Sequence, residues 1–186
     1  MCAEERPAEP NELPLDEASL VRSTLDGNPH AFEGLVRLHS RRVFNFLYQM
    51  TRQRQDAEDL SQQTFIKAFH NLHRFDPGRP LLNWLLTIAR RNALNHFRSL
   101  KPWESVPADA VSADWSPARS AEEKDQAENL WAQARRTLSQ REFEVLWLRT
   151  GEGLSIEETA RVVGLTKTHV KVLAFRARQQ LIKGEK

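Results

Sequence analysis

The chain has 186 residues and a formal net charge of +2, 27 basic side chains against 25 acidic ones, which excludes a basic field over the whole protein. Its one cysteine, Cys2, excludes an internal disulfide and fits a reducing compartment. No apolar run approaches the roughly 18–20 residues of a membrane span, and the N-terminus lacks the basic and apolar regions of a signal peptide. A cytoplasmic protein without membrane insertion is expected.

Residues 1–15 combine three prolines with several glutamates and no apolar periodicity, the composition of a disordered acidic tail. Residues 1–24 carry six acidic and two basic side chains, whereas residues 25–100 carry eleven basic and six acidic ones. The surplus over 25–100 suits a polyanionic partner. From Asp16 the pattern is helical. Leu20, Val21 and Thr24 open an apolar face that stops at Gly27-Asn28, and Pro29 suits the first position of the next helix. That helix places Phe32, Leu35, Val36, Val43, Phe46, Leu47 and Met50 three and four residues apart. A third helix is predicted from Asp56 to Leu72, followed by the loop 74–79. Pro80 is predicted to start a fourth, with Leu81, Trp84, Leu85, Ile88, Ala89, Ala93 and Leu94 on one stripe and Trp84 as a core residue.

Residues 101–120 hold Pro102, Pro107 and Pro117 among Ser, Ala and Asp and no helical stripe. They read as a flexible linker able to reach about 65 Å if extended. Exposed tryptophan is costly in an idle tether, so Trp103 and Trp115 point to docking on a partner or a flanking domain. Periodicity returns with Leu130, Ala134 and Leu138, and Ser139 with Glu142 has the spacing of a capping box. Ser155 and Glu158 repeat that spacing before a short helix. Ala160 is small where two helices cross, Gly164 permits a left-handed turn, Leu165 fills the angle and Thr166 caps the last helix. This is the mechanics of a helix-turn-helix. On the last helix Val170, Leu173, Ala174, Ala177 and Leu181 share one side. Thr168, His169, Lys171, Val172, Phe175 and Arg176 share the other. From Lys167 to Lys183 there are five basic residues and no acidic one. Such a face can pair phosphates, donate to guanine edges and touch thymine methyls.

No strand alternation occurs, and the fold class expected is all-α, two small helical domains at 16–100 and 121–186 joined by the linker 101–120. The segment Leu138 to Leu181, with Leu-Ser-x-Arg-Glu, Glu-Glu-x-Ala, Val170-Lys171 and Arg176-Ala177-Arg178, resembles the fourth-region domain of bacterial sigma factors. Residues 56–69, Asp-Ala-Glu-Asp-Leu-Ser-Gln-Gln-Thr-Phe-Ile-Lys-Ala-Phe, resemble the polymerase-binding helix of the sigma second region. Asn83-Trp84-Leu85 through Ile88-Ala89-Arg90-Arg91-Asn92 to Arg98 resembles that family's promoter-opening helix. Two motifs in the family's order, with only a short tether between them, resemble the extracytoplasmic-function class in particular.

The resemblance implies a set of sites. Asp56, Glu58, Asp59, Gln62 and Gln63 would dock on the β′ clamp of core RNA polymerase. Arg74, Phe75, Arg79, Asn92 and Asn95 would capture a flipped base of the minus-ten element, with Arg90, Arg91 and Arg98 on the backbone. Thr168, His169, Lys171, Val172, Phe175 and Arg176 would read the minus-thirty-five element while their domain holds the β flap. An anti-sigma factor is the further partner implied. A dimeric helix-turn-helix regulator would explain 121–186 equally well but not the motifs at 56–69 and 74–98. The carboxylates at 56–59 lack a His or Asp partner at ligand spacing and the six histidines are scattered. No catalysis, metal or cofactor is therefore expected.

Overall fold

Helix termini carry much of the local logic of this chain, because each helix leaves four N–H and four C=O groups without intrahelical partners, and side-chain caps satisfy several of them here. The computed structural model describes residues 16–99 and 130–184. The expected tail at 1–15, the tether at 101–120 and the docking of Trp103 and Trp115 lie outside the described residues.

Asp16 caps α1 (Glu17–Leu25) by accepting from the Ala18 N–H at 3.4 Å. Gly27 (φ 96°) turns the chain and Asn28 accepts from the His30 N–H at 3.1 Å, with Pro29 as the first residue of α2 (Pro29–Thr51). Helix α1 lies so close to α2 that a Cβ on Gly34 would meet Leu20 Cδ1 at 2.9 Å. Helix α3 (Arg54–Asn71) begins two residues before the predicted Asp56 and ends one before Leu72, which opens a single tight turn over Leu72–Arg74. Helix α4 (Leu81–Ser99) begins one residue after Pro80, whose carbonyl already accepts from the Asn83 N–H at 3.1 Å. Glu17 ties this end down, with one carboxylate oxygen 2.7 Å from His39 Nε2 and the other accepting from the Leu81 N–H at 3.4 Å.

In the C-terminal unit α5 covers 130–137 and α6 spans Gln140–Leu146. Both predicted capping boxes are formed, Ser139 with Glu142 and Ser155 with Glu158. A wide turn over Trp147–Gly151 closes beneath the Trp147 ring, leads through Gly153 and enters α7 (Ile156–Val163). Gly164 sits at φ 67°, ψ 37°, and Thr166 accepts from the His169 N–H at 3.2 Å at the start of α8 (Lys167–Gly184). Among the described residues there is no strand.

The two units are packed together. Leu35, Phe46, Leu85 and Leu86 of the first and Leu148, Leu154, Val163 and Val170 of the second belong to one contiguous apolar cluster. Ala134, Leu138, Phe143, Leu146 and Ala177 form a smaller one, on which Trp131 and Trp147 pack edge to face at 4.7 Å. Across the junction Arg90 Nε donates to Glu144 Oε1, with only 17% and 5% of the two side chains exposed. Asn83 Nδ2 donates to Glu158 Oε1 at 2.9 Å, and Arg42 donates to both the carboxylate and the carbonyl of Glu152 at 2.8 Å. None of these pairings follows from sequence spacing, since their members stand 54 to 110 positions apart.

Burial raises the Glu144 carboxyl above its ordinary 4.5, and the hydrogen bond and charge of Arg90, helped by Arg141, pull it back only in part. The Glu158 carboxyl moves the other way, held below 4.5 by the Ser155 backbone and hydroxyl and then by Asn83. A raised carboxyl contributes fully to packing below its free value and loses that contribution as pH rises through the packed value. A depressed one contributes above its free value and loses it as pH falls through the packed one. Acidification from neutrality toward 4.5 should therefore tighten the junction through Glu144, and further acidification should loosen it through Glu158. The radius of gyration from small-angle scattering should fall and then rise. Glu144→Gln should abolish the first limb, and an unchanged first limb in that variant would assign it to another group.

Candidate nucleic-acid interface

The helix-turn-helix places α8 with one side against α6 and α7 and the other in solvent. Val170, Leu173 and Ala177 are buried, while Thr168, His169, Lys171, Val172, Phe175 and Arg176 are all exposed. Phe175 is 64% exposed and so is no part of the core. Lys167 is drawn back onto Glu157 of α7. Among the described residues neither Lys171 nor Arg176 has a hydrogen-bond or ion-pair partner, so the face carries uncompensated positive charge beside two apolar side chains. Unpaired cations next to apolar contact groups are what phosphate pairing and base-edge contact require.

On α3 the buried positions are Ala57, Leu60, Ser61, Thr64, Phe65 and Ala68. That burial turns Glu58, Asp59, Gln62 and Gln63 outward. Asp56, half-buried, lies 3.2 Å from His96 Nε2, Glu58 accepts from Arg54 at 2.8 Å, and Asp59 has only a 3.5 Å contact from the Gln55 amide. Ile66 and Phe69, 50% and 40% exposed, prolong the Glu58–Gln62 stripe. They were not among the polymerase contacts expected from the sequence, although their i+4 and i+7 offsets from Gln62 place them on the same face.

The second-region residues do not form one pocket. Arg74 and Arg79 are exposed in the loop before α4, Arg79 pairs with Asp76 at 3.0 Å, and Phe75 packs on Trp84 with ring centroids 5.5 Å apart. Arg91, Asn95 and Arg98 make a separate exposed stripe about 15 Å further along the α4 axis, with Arg98 Nη1 donating to Asn95 Oδ1 at 3.5 Å. Arg90 is turned into the junction against Glu144. Asn92 is 4% exposed, donates to Thr64 Oγ1 at 3.1 Å and accepts from Lys67 Nζ at 2.6 Å, so its amide serves the α3–α4 packing and is not presented to solvent. Trp84 is half-buried against the core. Among the described residues no cluster of His, Cys, Asp and Glu could hold a metal ion, and no helix is long and apolar enough to cross a membrane.

Comparison with known proteins supplies the context. Residues 35–102 match Sigma-70 region 2 and residues 130–181 match Sigma-70, region 4. The RNA polymerase sigma factor CarQ of Myxococcus xanthus is 32% identical over 164 residues, covering 84% of this chain and 90% of that one. The ECF RNA polymerase sigma factor BldN of Streptomyces coelicolor is 34% identical over 163 residues, covering 85% of this chain, which spans 61% of that relative's length. Among solved structures, CnrH in complex with the cytosolic domain of CnrY superposes with a TM-score of 0.66 at 27% identity, over 90% of this chain and 95% of that one. The sigma factor RpoE of Bartonella quintana, in complex with the anti-sigma factor NepR, shares the fold with a TM-score of 0.68 at 23% identity over 82% of this chain and 94% of that one. Two matched regions in order, on the surfaces just described, place the chain in the extracytoplasmic-function class of RNA polymerase sigma factors, the family to which it belongs.

Proposed function

We propose that the chain brings core RNA polymerase to promoter DNA through three surfaces with separate tasks. The outward stripe of α3, with Glu58, Asp59, Gln62 and Gln63 continued by Ile66 and Phe69, is the polymerase contact. Acid and amide groups flanked by exposed apolar ones suit a protein partner better than a nucleic acid. The α8 face of Thr168, His169, Lys171, Val172, Phe175 and Arg176 reads the upstream promoter element in the major groove. The loop residues Arg74, Phe75 and Arg79, with Arg91, Asn95 and Arg98, hold the opened downstream strand. Asn92 acts through α3–α4 packing, and Arg90 joins the strand-holding set only when Glu144 releases it. The single observation that carries this reading is the presence in one chain of the outward α3 stripe and the α8 face, whose free cations and exposed Phe175 have no task within the fold.

A site of action in the cytoplasm follows from this role, since the polymerase works there. A protein inhibitor is part of the proposal too, because CnrH and RpoE were each solved with an inhibitory or cytosolic partner domain bound. The dimeric-regulator alternative leaves the α3 stripe without a purpose.

Two substitutions test the division of labour. Asp59→Lys reverses an exposed charge that has almost no internal partner, and should weaken binding of core polymerase about tenfold, or about 1.4 kcal/mol. Electrophoretic mobility of the free chain on promoter duplex should not change, whereas a parallel loss on duplex would move Asp59 to a DNA or folding role. Arg176→Ala should cost about 1–3 kcal/mol at one promoter position, read as a changed base preference in run-off transcription from a randomised upstream element. An equal loss on every sequence would make Arg176 a phosphate contact.

A further inference from the structure

Between the end of α2 and the α5–α6 pair lies a cleft of about 190 Å³ that none of the surfaces above uses. Its lining is mixed, the apolar part made by Phe46 and Met50 from the first unit and Leu138, Phe143 and Trp147 from the second, beside the amides of Gln49 and Gln140. Two guanidiniums also line it, Arg52 and Arg135. Arg52 is the one non-glycine among the described residues with positive φ, at 62°, where the chain leaves α2. Glycine is the usual residue there, and a left-handed arginine carries strain that needs a compensating purpose.

The charges in this cleft are unbalanced. Arg135 lies 5.5 Å over the Phe143 ring and donates through Nη2 to Gln49, while its buried Nε and the buried Nε1 of Trp147 have no acceptor. Burial first and the neighbouring Arg52 second push the Arg135 guanidinium down to about 10, against an upward pull from Tyr48. Arg52, exposed at the rim, is also lowered, by partial desolvation against an upward pull from Tyr48. Glu144 is the carboxylate on the cleft wall, and Arg90 already holds it. Two guanidiniums beside apolar side chains, with the one carboxylate that lines the cleft among the described residues already held by Arg90, favour an anion, and a strongly hydrated dianion would gain little from aromatic and thioether surfaces. An apolar cavity of about 150 Å³ already admits a benzene ring, so this one has room for a ring or short chain.

We propose that the cleft binds a small monocarboxylate carried on an aryl or medium-length alkyl group, with the carboxylate between Arg52 and Arg135 and the apolar part against Phe46, Met50 and Phe143. This goes beyond the sigma-factor reading, because binding needs neither polymerase nor DNA. The walls come from both units, so a bound ligand favours their packed arrangement by mass action. By the same linkage it opposes whatever separates them.

Isothermal titration of the full chain with 4-phenylbutyrate, its neutral amide 4-phenylbutanamide and inorganic phosphate tests the assignment without a mutation. One saturable site for the carboxylate is expected, with the amide at least tenfold weaker and phosphate silent. Arg52→Gln and Arg135→Gln should each weaken the carboxylate at least tenfold, and the distant Arg37→Gln should leave it unchanged. Equal affinity for acid and amide, indifference to both cleft arginines, or no saturation would each overturn the proposal. A synthetic peptide of residues 1–15 binding with the same arginine dependence, while 4-phenylbutyrate does not, would overturn it in favour of the chain's own acidic segment. Failure to bind core polymerase would strike the sigma reading and leave this result untouched.

Discussion

Helix α4 must be buried on two sides at once, and most of what the molecule presents to its surroundings follows from that. One side packs on α2 and α3 and another on α7. Leu81, Leu82, Leu85 and Leu86 fill its first half, and Ala89 and Ala93 let neighbouring helices come close further along. Asn92 lies among them as a buried polar group that must be satisfied, since an orphaned amide costs about 1–3 kcal/mol. Its partners, Thr64 and Lys67, both belong to α3. That pairing fixes the rotation of α3 against α4 and turns the Glu58–Gln62 stripe outward with Ile66 and Phe69. The outward presentation of the α3 stripe thus rests on this pairing together with the burial of Ala57, Leu60, Phe65 and Ala68.

Charge is distributed with the same economy. Arg42, Arg54, Arg79, Arg90 and Lys167 each face a carboxylate. Exposed pairs such as Arg54 with Glu58 contribute about 0–1 kcal/mol, so their main effect is to cancel local field. Among the described residues, cations without a carboxylate partner include Lys171 and Arg176 on α8, Arg74, Arg91 and Arg98 before and along α4, and Arg52 and Arg135 at the cleft. A net charge of +2 over the whole chain therefore hides local places where an anion meets little internal competition. The α8 site is solvent-facing and suits a polyanion whose grip weakens with salt. The cleft is partly apolar and suits a single weakly hydrated charge.

Features legible in the sequence were those whose partners are near in the chain. Both capping boxes, the left-handed Gly164, the Pro29 start and the buried stripe of α8 rest on offsets of one to four residues, which helical geometry fixes in advance. Starts drifted by one or two residues at Pro80 and Asp56 because the first turn of a helix can be half-formed. Phe175 could be placed on the outer side by its helical angle, but only the tertiary structure excludes its burial. Asn92 and Arg90 were grouped with DNA-facing residues on family resemblance. Their actual partners lie 25 to 54 positions away on other helices, and no local pattern distinguishes an asparagine facing Thr64 from one facing solvent.

The junction between the two units has the character of a contact that can be exchanged. Its polar part is made of Arg90 with Glu144, Asn83 with Glu158 and Arg42 with Glu152. A buried ion pair recovers little beyond the desolvation it imposes, yet removing one partner alone costs about 3–5 kcal/mol. A partner that supplied a replacement charge would lower that cost. A phosphate could take the place of Glu144 on Arg90, and a basic group could take the place of Arg90 on Glu144. Interfaces between domains of one chain are in general more polar than permanent ones, and here the polarity is of a kind that nucleic acid and protein can both imitate. The same few side chains that hold the units together thus define which chemistry can part them.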